Sequence, residues 1–347
     1  MVFARSKIGL TIAVLLGAAV ACCGKEILVG VVDAGLGTDT DVDSDTDADT
    51  DTESDACTWH TYQVVSGLDA VWGTSAQNVY AVGGGLLSSA VALRFDGVSW
   101  THIGGLGGLT PGFADVFGFG EDDVFAVSYD ATVARYDGAS WEIDGVVTDA
   151  AFGVWGSSPT NLFVVGGGFS YYPLILRSDG DTWVQMGGAD GYLMSGVWGS
   201  APNDVFAVGT EAINHLNEYV WSPMDVGSLS LDGVFLEDVW GSSGSDVYTV
   251  GYHWAGPVLL HYDGAGWQQI EVASIAGDAD LYGVHGAGPD DVWIVGGEQG
   301  SGIVLHFDGE TWGEIDYPFP FELFDVWVAP TGEVFAVGSL GAIYCSQ

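Results

Sequence analysis

Between Val71 and the C-terminus the chain repeats one pattern of apolar and polar positions seven times. The pattern reads apolar-Trp-Gly, a short polar turn, Asp-Val-aromatic-apolar-Val-Gly, a variable loop, apolar-(His/Arg)-aromatic-Asp-Gly, then Trp. Residues 239–267 and 284–312 are clear copies. The repeats open at Val71, Val116, Val154, Val197, Val239, Val284 and Val326, a period of 38 to 45 residues. Each apolar run has strand length and is bounded by Gly, Asp or Pro. No stretch after residue 25 repeats at helical spacing.

Repeats of this length, made of short strands and turns, predict an all-β fold: a seven-bladed β-propeller of four-stranded antiparallel blades. In the repeat opening at Val284, residues 281–286 form the inner strand and 289–291 a turn. Residues 292–295 form a second strand, apolar throughout because blades stack on both sides. Residues 296–302 loop, and 303–307 form the third strand. Asp308-Gly309 reads as a two-residue hairpin turn needing φ > 0, and Thr311-Trp312 opens the outer strand. Asp-Gly recurs at 96–97, 137–138, 179–180 and 263–264. The fourth repeat has Asn217-Glu218 instead, with Asn tolerant of that backbone region.

The seventh repeat stops two residues after Cys345, without its outer strand. The missing piece stands at the other end, where residues 57–62 match Glu310-Thr311-Trp312. The N-terminal strand is therefore expected to close the last blade. This alignment sets Cys345 at the place of His306 and Cys57 at that of Glu310, neighbours across a hairpin. In an oxidising compartment a Cys57–Cys345 disulfide follows, stabilising the domain by ~2–4 kcal/mol.

Charge narrows the partners. Of 347 residues 47 are acidic and six are Lys or Arg, for a net charge of −41; no lysine follows residue 25. Phosphate backbones are bound by Lys and Arg that displace counterions, so nucleic acid is excluded, and anionic lipid surfaces are repelled likewise. The charge reads as that of an extracytoplasmic domain bathed in salt or divalent cations, or as adaptation to a saline habitat. Residues 1–21 carry Arg5 and Lys7, then an apolar run too short to span a membrane, and read as a signal peptide. Ala19-Val20-Ala21-Cys22 resembles a lipobox, with Cys22 the lipidated residue; release by the ordinary signal peptidase is the alternative. Residues 22–56 hold alternating Asp and are expected to be a disordered spacer, reaching on the order of 100 Å. An EF-hand reading fails, because Thr46 and Thr52 stand where Gly and Glu are required. Residues 57–347 form the propeller.

The pairs Gly83-Gly84, Gly166-Gly167 and Gly296-Gly297, followed by Tyr/Phe-Asp and Trp, resemble kelch repeats. Four repeats lack the second Gly, and the Asp-to-Trp spacing is shorter than in kelch. The chain also resembles propeller domains of exported bacterial lipoproteins with Asp/Thr-rich spacers. That resemblance implies an outer-membrane or cell-surface location, secreted or periplasmic being the alternative, with the membrane touched only through the lipid anchor. Ser178–Trp183 resembles a sialidase Asp-box less one residue.

Catalytic signals are missing from the pattern. Arg94, Arg135 and Arg177 share one repeat position, held by His215, His261 and His306 in later blades, so they read as structural partners of nearby carboxylates. His285 replaces an inner-strand aromatic and reads as a satisfied core histidine. No metal-ligand spacing occurs, and no cofactor is implied. Asp123, Asp204, Asp246 and Asp291 read as turn caps. Residues that depart from the repeat are the binding candidates: Phe169, Tyr171 and Tyr172 in the third blade, His253 and Trp254 in the fifth. Aromatic loop residues stack on sugars or anchor protein partners. The chain thus reads as a monomeric, non-catalytic cell-surface or periplasmic module for a glycan or protein. A glycan-active enzyme of sialidase or lyase type and a purely structural envelope protein are the alternatives.

Overall fold

A computed structural model describes residues 58–64, 67–106, 108–147, 149–168 and 172–346. Among them stand 28 strands in seven four-stranded antiparallel sheets. Inner strands Leu68–Ser75, Phe113–Gly120, Ala151–Ser158, Met194–Ala201, Phe235–Ser243, Asp280–Gly288 and Leu323–Val328 lead blades one to seven. Each inner strand packs on the next and the seventh packs on the first, so the ring is closed. The fold is a seven-bladed β-propeller. One feature escapes the repeat pattern: the linker after blade five contains a single helical turn, Ala273–Ala276. The proposed signal peptide and spacer lie outside the described residues, and no described helix is long and apolar enough to cross a membrane.

The Trp-Gly pair explains how blades stack. A Cβ built on Gly118 would come within 2.6 Å of the Trp72 ring, and one on Gly199 within 2.7 Å of the Trp155 ring. Trp198 covers Gly241, Trp240 covers Gly286 and Trp327 covers Gly73 in the same way. Each indole therefore lies on the glycine of the following blade, where no side chain fits. Blade six carries His285 in place of Trp, and blade seven carries Val328 in place of Gly. The Val328 N–H donates to His285 Nδ1 at 3.2 Å. The smaller ring leaves room for the larger neighbour. His285 is the satisfied core histidine expected, and burial pushes its pKa down to about 4. Seven apolar clusters, one between each pair of adjacent blades, make the core.

Every inner strand has a bulge in its pairing with the second strand, two residues before the repeat's opening valine. The residue just after each bulge position is Asp in blades two, five and seven. There it bridges blades: Asp115 accepts the N–H of Val116 at 2.7 Å and of Val154 at 2.7 Å. Asp238 does so with Val239 and Val284, and Asp325 with Val326 and Val71.

The hairpin between third and outer strands departs from expectation in blade six. Phe307 pairs with Trp312, so the turn spans four residues. Asp308 Oδ1 accepts the N–H groups of Glu310 and Thr311 at 2.9 and 2.7 Å, and the left-handed φ falls only on Gly309. The aspartate is needed for its side chain. Blade four does have a two-residue turn, Asn217 pairing with Val220. The left-handed residue there is Glu218, at φ 60°, instead of Asn217. In blade six the second and third strands run Asp291–Glu298 and Ser301–Phe307, so the expected 296–302 loop shrinks to Gln299-Gly300.

Thr58–Gln63 pairs with Gly341–Ser346 as the outer strand of blade seven. Trp59 faces Cys345, and His60 stacks on Tyr344 with ring centroids 4.7 Å apart. The sequence alignment was one residue out. Tyr344, which pairs with Phe335 as His306 pairs with Trp293, holds the His306 place, and buried Cys345 holds that of Phe307. Cys57 lies outside the described residues.

Candidate ligand-binding face

The chain direction gives the disc two unlike faces. One carries the turns between first and second and between third and outer strands. On it blades one to six each pair the first residue of strand two with the Arg or His of strand three. Arg94 Nε donates to Asn78 Oδ1 at 2.8 Å and Arg177 Nε to Asn161 Oδ1 at 2.6 Å. Arg135 pairs with Asp123 at 2.8 Å; His215, His261 and His306 meet Asp204, Asp246 and Asp291 at 2.6, 2.6 and 2.8 Å. Arg94 adds Glu121 at 3.1 Å, and Arg177 meets Asn203 at 3.4 Å. Arg177 thus has amide partners in place of the expected carboxylate. The guanidinium groups also lie 5.2 to 5.9 Å from the ring centres of Tyr80, Phe125 and Phe163. These cations are spread over blades one to three and braced, so this face assembles no substrate-carboxylate clamp.

The other face carries the loops between strands two and three and the linkers between blades. Phe169 and Tyr171 lie outside the described residues. Tyr172 is 75% exposed and Trp254 84% exposed. His253 ends the second strand of blade five, half-buried against Gly233, its ring 5.0 Å from that of Trp254. Tyr172 and Trp254 stand on blades three and five and make no ring contact with each other. The backbone of Tyr172 instead runs beside that of exposed Tyr192, both carbonyl oxygens lying near Gly167.

Sequence reasoning missed a second feature of this face. The seven inner-strand bulges place Asp69, Ala114, Phe152, Ser195, Glu237, Tyr282 and Phe324 at one level around the channel mouth. A bulge re-aims its side chain, and the contacts made at this level link blades. Tyr129, from the loop of blade two, donates to Asp69 of blade one at 3.1 Å and meets Phe152 of blade three ring to ring at 5.8 Å. Phe235, Tyr252, Tyr282 and Phe324 continue as a chain of rings through blades five to seven, with centroids 5.3, 6.4 and 5.8 Å apart. Tyr282 Oη donates to Asp280 at 3.3 Å. Tyr252 Oη is buried on the Glu237 side. Burial pushes all three tyrosines well above the ordinary phenol range. Asp69 and then Glu237 add to this at Tyr129, Glu237 at Tyr252 and Asp280 at Tyr282. The one legible signal was a carboxylate in an otherwise apolar strand, as in Phe235-Leu236-Glu237.

A separate apolar cavity of about 470 Å³ lies at the rim between blades one and two, lined by Leu106, Leu109, Trp141 and Ile143. Among the described residues no three His, Cys, Asp or Glu converge as a metal site.

Neither protein-family models nor curated proteins match the sequence. Solved structures do match in fold. YCF48 bound to D1 peptide is 14% identical with a TM-score of 0.61, over 83% of this chain and 96% of that one. The extracellular domain of a putative one component system, BT4673 from B. thetaiotaomicron, is 10% identical with a TM-score of 0.63, over 83% of this chain and 40% of that one. Streptogramin B lyase is 8% identical with a TM-score of 0.67, over 83% and 97%. At these identities the likeness is one of fold.

Proposed function

We propose that this chain is an exported binding module that recognises a glycan or a protein through the face bearing Tyr172, His253 and Trp254. The observation that carries the reading is the exposure of Trp254, 84%, at a position where the repeat demands no aromatic. Large apolar rings left in solvent cost solubility and are the usual anchors of interfaces. Phe169 and Tyr171 belong to the same loop as Tyr172 and are proposed to join it. The fold is shared with a peptide-bound protein and with an extracellular domain, which supports a binding role. It is also shared with a lyase. The braced arginines argue against a sialidase-like or lyase-like site, which would need them gathered.

The same reading includes a kelch-like monomeric domain held by a lipid on Cys22, at the outer membrane or cell surface, with residues 22–56 as an acidic spacer. It also includes a Cys57–Cys345 bridge, supported by a disulfide at Cys345. Glycan-array binding and affinity capture with the mature chain, alongside Trp254→Ala and Tyr172→Ala, test the face. Loss of the captured glycan or protein in these variants is expected, and capture unchanged in both would reject it.

A further inference from the structure

The rim cavity between blades one and two is lined by a donor that has no acceptor. The linker after blade one and the outer strand Trp141–Val146 of blade two bound about 470 Å³, with Leu106, Leu109, Trp141 and Ile143 as its apolar walls. Small-molecule sites have volumes in this range and apolar walls with a few placed polar groups. These walls are held in place. Leu109 N–H donates to the Leu106 carbonyl at 2.9 Å, and Ala90 N–H to the Leu109 carbonyl at 2.8 Å. The Trp141 ring lies 5.5 Å from the rings of both Phe113 and Tyr136. A Cβ on Gly105 would come within 2.9 Å of the Trp141 backbone nitrogen, whereas one on Gly108 would meet nothing within 4 Å. The linker is thus pinned to the strand at Gly105 and stands off from it at Gly108, which leaves the gap.

Trp141 Nε1 is the placed polar group. It is buried without a hydrogen-bond partner, in a residue only 3% exposed. In blades four and five the same nitrogen is directed at the preceding linker, where Met186 and Met224 present sulfur at 3.4 Å. In blade two the equivalent linker residue is Ile103, which presents no acceptor, and the cavity lies on that linker's side of the ring. Trp100 Nε1 is also buried unpaired, but Trp100 is not part of the cavity wall. An indole N–H can only donate, so the site calls for an acceptor. Glu142, exposed at the edge of the cavity, and a net charge of −41 oppose an anionic one.

We propose that this cavity binds a small, neutral, apolar molecule carrying one hydrogen-bond acceptor, a ketone or ester oxygen, to which Trp141 Nε1–H donates. Leu106, Leu109 and Ile143 cover its apolar body. The site is separate from Tyr172, His253 and Trp254, and neither reading depends on the other.

Calorimetric titration of the mature chain tests it with acetophenone, with cumene, which has the same shape without the oxygen, and with benzoate, which is anionic. Acetophenone and cumene are expected to bind, and benzoate about tenfold more weakly than acetophenone. Trp141→Phe removes the N–H and should weaken acetophenone about fivefold more than cumene. Ile103→Met supplies Nε1 with a sulfur and should have the same selective effect with a higher melting temperature, so it serves even if Trp141→Phe fails to fold. Tyr219→Ala, which removes an exposed ring from a turn of blade four, should change nothing. Absence of binding by both neutral probes overturns the proposal, as does benzoate binding as tightly as acetophenone. So do equal losses of acetophenone and cumene in Trp141→Phe and Ile103→Met, which would make the indole a wall and nothing more. An equal loss in Tyr219→Ala also overturns it, because the uptake would then be adsorption to exposed rings.

Discussion

Asp325 accepts the N–H of Val71 at 2.8 Å across 254 residues of sequence. The same carboxylate accepts the N–H of Val326 at 2.8 Å, so a single side chain ties the last blade to the first. The N-terminal strand closes blade seven at its outer rim; this aspartate closes the ring at its inner wall. Asp325→Ala removes two charge-assisted acceptors from partly buried amides and should lower stability by about 2 to 3 kcal/mol. Asp325→Asn keeps one acceptor oxygen and should lose about half as much. Urea unfolding of both variants decides it; equal stability of wild type and alanine variant would show the closure to rest on packing alone.

The outer-strand tryptophans predict a stabilising change. Trp221 Nε1 and Trp267 Nε1 lie 3.4 Å from the Sδ of Met186 and Met224, each in the linker of the preceding blade. The equivalent linker residue beside Trp141 is Ile103, whose N–H bonds to Ala92 as those of Met186 and Met224 bond to Ile175 and Ile213. Trp141 Nε1 is buried without a partner. Ile103→Met offers it a sulfur, with the adjacent cavity giving room. A gain of about 0.5 to 1 kcal/mol is expected, read as a higher melting temperature. An unchanged or lower one would mean that the β-branched side chain packs better there.

The blade count, the strand order and the borrowed outer strand were legible in the sequence, because Trp59 and the Asp-Gly turns recur at fixed places in the repeat. The bulges were not. Their position recurs two residues before each opening valine, but the residue there changes from blade to blade, from Asp69 and Ala114 to Glu237 and Phe324, so no residue type marks it. The Asn78–Arg94 and Asp204–His215 pairs escaped for a related reason, since their partners stand 16 and 11 residues apart on different strands. The Asp-Gly pairs mark the turns legibly and leave their geometry open, because Asp-Gly occurs in several turn types and only the side-chain acceptor tells them apart.

Acidification should weaken the fold in two stages. His285 is held neutral by burial, its pKa down to about 4 from 6.5. The unfolded chain therefore takes up a proton first, and stability falls as pH drops from 6.5 toward 4, by on the order of 2 kcal/mol. Asp96, Asp137, Asp179, Asp263 and Asp308 have pKa values lowered by two backbone N–H donors each. At Asp291 burial pulls upward, but hydrogen bonds from His306 and Trp293 prevail and lower it. What these carboxylates contribute is present above 3.8 and is lost as pH falls below that. Urea midpoints of wild type and His285→Phe across this range separate the stages. The gap between the two proteins should narrow or reverse in favour of the variant from pH 6.5 to 4. A constant gap would mean that the imidazole stays proton-accessible in the folded state.

The proposed Cys57–Cys345 bridge makes the closing strand covalent. Alkylation before reduction should leave both cysteines unmodified in peptide mass maps, and reduction should lower stability by ~2–4 kcal/mol. Alkylated Cys57 in the unreduced protein would remove the bridge and leave the Thr58–Gln63 strand held by its ladder with Gly341–Ser346.

The exchange of Trp-Gly for His285 and Val328 at one blade boundary predicts a rescue. Five boundaries pack an indole onto a glycine, and there even a Cβ would approach the ring to 2.9 Å or less. Placing Trp at 285 against Val328 forces an indole into space that the valine already fills. His285→Trp alone should therefore cost about 1 to 3 kcal/mol. Val328→Gly alone empties that space and removes a buried side chain, for about 1 to 3 kcal/mol by cavity and backbone effects together. The double variant rebuilds the pairing used at those five boundaries, and its loss should be smaller than the sum of the two single losses by at least about 1 kcal/mol. A double-mutant cycle in urea measures that coupling directly. Additive losses would mean that indole and glycine are matched to the local twist of each boundary and do not form an exchangeable pair.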